Sequence, residues 1–522
     1  MSPLDLQATT QGNLRSVNSR PRVHSFVWDV AVTTVASGLM LAEGVLSVSL
    51  VGRWLGALAV GEYLLISRLV SWLSSGAQLG IGVALPRYVA RETDQHSSGL
   101  SYLTSALLCL LSVALVIGTV LLLVREMIAK WFFGRSDMAY LVLPLVLMLM
   151  GQVVHAAVFG YYRGHLWMQW ANSLQVVNMV LCPIGSILLL YRHGSVASII
   201  SLNGAAVVVS SFLFLIPAAR IFRLSDLRDI WTHLSQLLHY GVARVPGEFA
   251  GNALLALGPV IASHYLPIAD VSGLLLGLGM VMAVAASVAP CGTVLLSKIS
   301  MMLARNQVQA VRLQLQYFIA GVLELSVFVC LQVIVFADVI VHAWVGSGYL
   351  EGVPVIRITL LSIPFWLFFV AMRSAIDAAT VIAHNAHNCY IALAVFLGLT
   401  GGAVVFVPRA YLLNGIAAAL LSAFAVLAWR TAGVAHKLLG IEIPWRQCAF
   451  PLGMAAALGI GSYAIHRATG QIGLPAVLLL EVAISVMFVL LLPRLGSTWL
   501  RESWRLFVAR KVQAKTEELL HP

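Results

Sequence analysis

Apolar runs of about 20 residues recur along the chain, separated by short polar stretches, and a run of that length crosses a hydrocarbon core as an α-helix. They place helices near 26–50, 62–84, 102–124, 138–160, 171–191 and 196–219. A polar stretch follows from Arg220 to His239. Runs resume near 240–263, 271–296, 313–336, 354–376, 388–407 and 411–432, then, after a second polar break, near 448–465 and 474–492. Lipid offers the backbone no hydrogen bonds, so each run must satisfy its own amides as a helix. The pattern predicts an all-α polytopic membrane protein of about 14 transmembrane helices.

Fourteen crossings return the chain to its starting side. The tails and loops of that side carry 22 Lys and Arg, the opposite loops 8, and Arg68 and Arg244 fall within spans. The positive-inside rule then puts both termini in the cytoplasm. Residues 1–25 form a polar N-tail with Arg15, Arg20 and Arg22, without the short apolar core and cleavage site of a signal peptide. The tail 493–522 carries Arg501, Arg505, Arg510, Lys511 and Lys515 among Trp499, Trp504 and Phe507, the mix of an interfacial segment.

Composition narrows the class further. Hydrophobic residues make up 60% and charged residues 10% of the 522, whereas soluble domains carry roughly 25% charged residues. A net charge of +11 would suggest nucleic acid only on a clustered soluble face; in short loops it serves topology and attraction to anionic lipid. Cys109, Cys182, Cys291, Cys330, Cys389 and Cys448 lie singly in different apolar segments, as small core residues do.

The break at 220–239 divides twelve helices into halves: an N-lobe over 26–219, a cytoplasmic linker over 220–239 and a C-lobe over 240–432. A pair of helices over 448–492 is appended. Leu55-Gly-Ala-Leu-Ala-Val-Gly-Glu-Tyr-Leu-Leu recurs loosely as Leu266-Pro-Ile-Ala-Asp-Val-Ser-Gly-Leu-Leu-Leu. The same spacing carries Leu85 to Leu296 and Arg87 to Lys298. Helices in even number per half make parallel repeats.

The stretch Gly52-Arg-Trp-Leu-Gly-Ala-Leu-Ala-Val-Gly-Glu-Tyr, followed by Gly80-Ile-Gly-Val-Ala-Leu-Pro-Arg-Tyr-Val-Ala-Arg, resembles the opening helices of polysaccharide flippases of the O-antigen and exopolysaccharide type. Tyr161-Tyr-Arg-Gly and Asn172-Ser-Leu-Gln resemble that family's junction of the fourth and fifth helices. The family sits in the multidrug/oligosaccharidyl-lipid/polysaccharide exporter superfamily. The resemblance implies two six-helix lobes around a central cavity, working by alternating access. It implies an undecaprenyl-pyrophosphate-linked oligosaccharide as substrate, moved across a bacterial inner membrane towards the periplasm. Membrane lipids and a polysaccharide polymerase are the further partners it implies, with no nucleic acid and no cofactor beyond a coupling H+ or Na+.

Ionisable residues inside spans are costly and cluster at function. The first helix carries Asp29 and Glu43 on a stripe with Thr33, Ala36, Met40 and Ser47. The seventh, its counterpart, carries Arg244, Glu248 and Asn252 four apart on one face, interrupted by Gly241, Pro246, Gly247 and Gly251. These stripes are expected to face each other across one aqueous pocket, unless Arg244 and Glu248 merely pair together. Arg68 lies within the second helix, and Arg373 with Asp377 at the cytoplasmic end of the tenth. Arginine binds phosphate bidentately, so Arg68, Arg244 and Arg373 are the candidates for a pyrophosphate. Asp29, Glu43 and Glu248 would orient them, meet sugar hydroxyls or take the coupling ion.

Gln152 and His155 could face the same cavity, and Gly76/Gly80 and Gly273/Gly277 are spaced for close helix approach. His384 and His387 lack an acidic or cysteine partner for a metal. An enzyme is not expected: no nucleophile constellation or phosphate cradle is present, and the longest periplasmic loop, 125–137, is short. A cation-coupled drug extruder of the same superfamily is the alternative.

Overall fold

A computed structural model describes residues 23–94, 99–192, 194–219, 229–380, 382–468, 474–494 and 497. Among them the chain is helical, without a strand. The N-terminal lobe holds α1 (Val23–Leu55), α2 (Ala57–Ala77), α3 (Leu100–Leu123), α4 (Val142–Gly164), α5 (Met168–Leu190) and α6 (Val196–Phe214). The C-terminal lobe holds α7 (Ile230–Ser263), α8 (Ile268–Ala304), α9 (Val308–Val335), α10 (Ser347–Leu360 with Ile363–Ala379), α11 (His384–Phe406) and α12 (Leu412–Leu439). The appended pair is α13 (Trp445–Ala468) and α14 (Leu474–Leu491).

Twelve described helices are long and apolar enough to cross a membrane, and the two arms of α10, bent by 46°, meet the same length and apolarity only when taken together. Where the fourteenth span is expected, the described residues form a shorter apolar helix, Pro475–Leu491. The tails 1–22 and 498–522 and the stretch 220–228 lie outside the described residues. Residues 230–239, expected in a polar linker, instead form the first turns of α7. That segment is amphipathic: Leu237 is buried and Trp231 exposed, and it docks sideways on the N-terminal lobe. His233 packs edge-on against Tyr102 at 4.4 Å, and the Tyr102 hydroxyl donates to Gln236.

The helix interruptions have local causes. Proline has no N–H for the carbonyl four residues before it. Pro364 thus frees Leu360, where α10 bends, and Pro183 frees Met179, inside a π-turn at Val177–Leu181. In α7 a 3-10 turn at Val242–Arg244 precedes Pro246, which restarts the helix in its first turn, where the missing N–H has no helical partner to lose. Helix α2 stops at Leu79 and Gly80, both left-handed, before continuing as Ile81–Asp94.

Close approaches hold the bundle together. Gly204 of α6 lies against the backbone of Leu147 and Met148 in α4, and Gly273 and Gly277 of α8 meet Gly352 and Thr359 of α10. The lobes join at the end expected to be periplasmic. There Ser49 Oγ donates to the Trp344 carbonyl at 2.6 Å, Trp344 Nε1 to the Val45 carbonyl at 2.7 Å, and Arg53 to Ala343. Nearer the opposite end, the break in α2 sits on the break in α7, Gly80 against Gly241. The appended pair leans on α9 through stacked Phe328 and Phe488, 4.2 Å apart. Asp338 ties it further, 3.0 Å from His466 of α13 and 3.3 Å from Arg357 of α10.

Of the cysteines, Cys330, Cys389 and Cys448 are buried and Cys109 and Cys182 half-buried, all free. Cys291 has no described side chain.

Candidate functional site

Where the two breaks meet, a cavity of about 270 Å³ opens between the lobes. Its walls are Gln78, Gly80, Gly82 and Val83 at the α2 break, Gln152, His155, Ala156 and Phe159 of α4, and Glu248 of α7. Gly80 and Gly82 keep this wall low, and the Gln78 amide lies beside Gly82 in it.

His155 is held from behind. The Asn178 amide nitrogen donates to its Nδ1 at 2.9 Å and to Ser211 at 2.8 Å, while Ser210 donates to the Asn178 oxygen. An amide nitrogen only donates, so Nδ1 accepts and the proton sits on Nε2. Asn178 owes its position to the π-turn, whose widened ring turns it towards α4 and α6. Phe159 stacks on the imidazole at 5.6 Å. Two carboxamides, an imidazole N–H and a carboxylate therefore face one space, a donor-and-acceptor set that matches hydroxyl-rich ligands.

On the α7 side, Arg244, Arg373 and Asp377 are the charges that act on Glu248. The seventh and tenth helices are brought together through α11. Gly247 packs against Ala386, Gly251 lies beside Cys389, and the Asn385 amide bridges the Asp377 carboxylate at 2.8 Å and the Arg373 carbonyl at 2.9 Å. Arg244 and Glu248 form no ion pair within 4 Å; Arg244 instead donates to the Tyr240 carbonyl at 2.9 Å and stacks over that ring at 3.9 Å. The 3-10 turn carries Arg244 backwards onto the preceding helical turn, away from the face that ideal α-spacing gives it. Asn252, half-buried one turn above Glu248, hydrogen-bonds to no described residue.

The remaining predicted residues sit elsewhere. None of the described side chains of α1 lines this cavity. Its stripe is partly packing: Ala36 and Ser47 are buried and Thr33 accepts from Asn172 of α5 at 3.0 Å. Glu43 accepts from Ser47 at 2.5 Å, beside Tyr63 of α2. The side chain of Asp29 lies outside those described. Arg68 is half-buried in mid-α2 and makes neither an ion pair nor a hydrogen bond with a described residue. Glu62, six residues earlier on α2, is buried and accepts from Tyr140 at 2.5 Å.

The model of a polysaccharide biosynthesis protein family matches residues 27–303, more than half of the chain. The chain belongs to that family. No curated protein matches it in sequence. Among solved structures, the lipid II flippase MurJ in an inward closed conformation superposes with a TM-score of 0.69 at 12% identity, covering 88% of this chain and 97% of that one. An inward-facing multidrug resistance MATE family transporter of the MOP superfamily gives 0.61 at 14% identity, over 76% and 94%. A eukaryotic MATE transporter gives 0.53 at 13%, over 83% and 99%. At these identities the likeness establishes the shared fold, in agreement with the architecture expected from the apolar runs.

Within this family member, Gln78, Asn178 and Tyr240 escaped the reading of the sequence. Gln78 and Asn178 are polar residues in apolar runs, and that signal was available. What made them functional candidates, a helix break and a π-turn, was not.

Proposed function

We propose that this protein is an alternating-access flippase that moves an undecaprenyl-pyrophosphate-linked oligosaccharide from the cytoplasmic to the periplasmic leaflet of a bacterial inner membrane. Arg68 carries the proposal. A guanidinium at mid-span costs about 3 kcal/mol or more unless water, a counter-charge or a ligand meets it, and no described residue does so. A phosphate-bearing cargo passing along the lobe interface supplies the missing partner bidentately. Arg244 and Arg373, flanking Glu248, extend a cationic path towards the cytoplasmic end. The amides and imidazole of the cavity suit sugar hydroxyls. A polymerase that uses the flipped product is the protein partner this reading implies.

Glu43 is the candidate site for a coupling H+ or Na+, since its carboxylate lies in α1 beside Ser47 and Tyr63. The same residue favours the second reading, a cation-coupled multidrug extruder. A deletion strain separates the two. Loss of surface polysaccharide with unchanged drug susceptibility supports the flippase, and the reverse overturns it. Arg68→Ala, inserted normally, should abolish polymer export in the complemented strain; wild-type polymer output would remove Arg68 from the mechanism.

A further inference from the structure

Tyr240 carries two guanidinium groups. Arg87, from the continuation of α2, lies 4.4 Å from its ring centroid, and Arg244, from α7, lies 3.9 Å from it. The two guanidinium carbons are therefore within about 8 Å of each other, although like charges repel. Arg87 makes no ion pair or hydrogen bond with a described residue, and Arg244 uses one N–H on the Tyr240 carbonyl. A guanidinium has five N–H donors, so most of those on this pair are unspent. Both side chains are exposed.

Their place is equally specific. Val83 and Glu248 line the cavity between the lobes. Arg87 follows Val83 by four residues and Arg244 precedes Glu248 by four, so each arginine sits one helical turn below the cavity wall. Because α2 and α7 run in opposite directions, both turns lead to the same mouth, the one expected to face the cytoplasm. Gly80 and Gly241, in backbone contact, fix the separation of the two helices there. The stack on Tyr240 holds two planar forks ready without giving either a counter-ion.

The geometry points to Arg87, Tyr240 and Arg244 as a diphosphate-binding subsite at the cavity mouth, in which each arginine takes one phosphoryl group and Tyr240 sets their spacing. This rests on the flippase reading and adds two residues to it, with a preference for diphosphate over monophosphate carriers. The ring is a spacer rather than a contact to the ligand, so Tyr240 is a positioning residue.

The test uses the full-length protein in phosphatidylcholine nanodiscs, which present no anionic headgroup. Affinities are measured for farnesyl diphosphate, farnesyl monophosphate and inorganic pyrophosphate, with the wild type, R87Q, R87K, R244Q and Y240L. The wild type should prefer the diphosphate to the monophosphate at least tenfold. R87Q and R244Q should each weaken diphosphate binding about 10- to 100-fold, as expected for a lost charged hydrogen-bonding group. Y240L should erase the preference while keeping both charges, and R87K should not restore wild-type affinity. Melting curves identify any variant that has lost its fold, and R87K then decides in place of R87Q. Folded variants that bind farnesyl diphosphate as the wild type does overturn the subsite alone. A wild type that binds no diphosphate overturns both the subsite and the flippase reading. Inorganic pyrophosphate bound as tightly as farnesyl diphosphate overturns the lipid-carrier assignment in favour of a free diphosphate.

Discussion

Replacing Gly80 by alanine probes the backbone contact between the breaks of α2 and α7. An added Cβ would lie 2.2 Å from the Gly241 carbonyl oxygen and 2.5 Å from its carbon. Both atoms are backbone, so no side chain can swing aside, and α2 and α7 must separate by about 1 Å to reach an ordinary van der Waals distance. Overpacking of this kind costs about 1–3 kcal/mol. Gly80 also has φ +70°, a left-handed conformation that costs a side-chain-bearing residue about 1–2 kcal/mol more. The expected loss is therefore about 2–5 kcal/mol, with the cavity mouth widened. Two neighbours calibrate it. Gly241→Ala meets the Leu79 carbonyl at 2.6 Å from an ordinary helical φ of −75°, so it should incur only the overpacking cost. Gly76→Ala meets the Phe249 ring at 3.4 Å, an ordinary contact, and gains about 1 kcal/mol of helix propensity. Melting of the detergent-purified variants should rank Gly76→Ala at or above wild type, then Gly241→Ala, then Gly80→Ala, with export following the same order. Equal melting of Gly80→Ala and wild type, or equal damage from Gly76→Ala, would refute the close backbone contact as the reason for glycine at this break.

Other perturbations separate the remaining contacts. Arg53→Ala combined with Ser49→Ala removes donors to the 343–344 carbonyls, worth about 1 kcal/mol each, so the lobes should open at that end roughly 30-fold more often; spin-label distances between α1 and the helix Ala337–Trp344 should lengthen, and unchanged distances would dismiss the latch. Glu43→Gln should leave membrane insertion intact and remove the response of transport to an imposed H+ or Na+ gradient, whereas an undiminished response would clear Glu43 of coupling. Asp338→Asn weakens a half-exposed ion pair worth at most about 1 kcal/mol and the bond to His466, so it should lower the melting point slightly without reducing export; a loss of export at normal expression would give the appended helices a role in transport. His155→Phe should keep the Phe159 stack, remove one of the two acceptors of the Asn178 amide nitrogen and weaken cargo binding, measured against Gln152→Leu as a second cavity variant.

Span-level architecture was legible in the sequence because a bilayer imposes one dimension on every crossing. Length and apolarity suffice to place a helix that faces lipid. The breaks at Gly80 and at Gly241 to Pro246 also left their mark as glycine and proline in apolar runs. The amphipathic start of α7 did not, since a half-polar segment that docks on its own protein looks like a linker when no partner surface is known.

Side-chain function divided along the same line. The chain by itself determined which residues carry charge where lipid forbids it, and Arg68, Glu43, Arg244 and Glu248 follow from that cost alone. Tertiary structure decided what each one meets. Helix periodicity put Arg244 and Glu248 on one face, but a 3-10 turn of three residues redirected Arg244 onto Tyr240 and next to Arg87, some 157 positions earlier in the chain. It likewise closed the predicted α1 stripe partly by packing and built the cavity wall from α2 and α4 instead. Burial cost is a local property of a residue and its span, whereas partnership depends on which helices cross, and that is settled by glycine contacts and helix breaks distant in sequence.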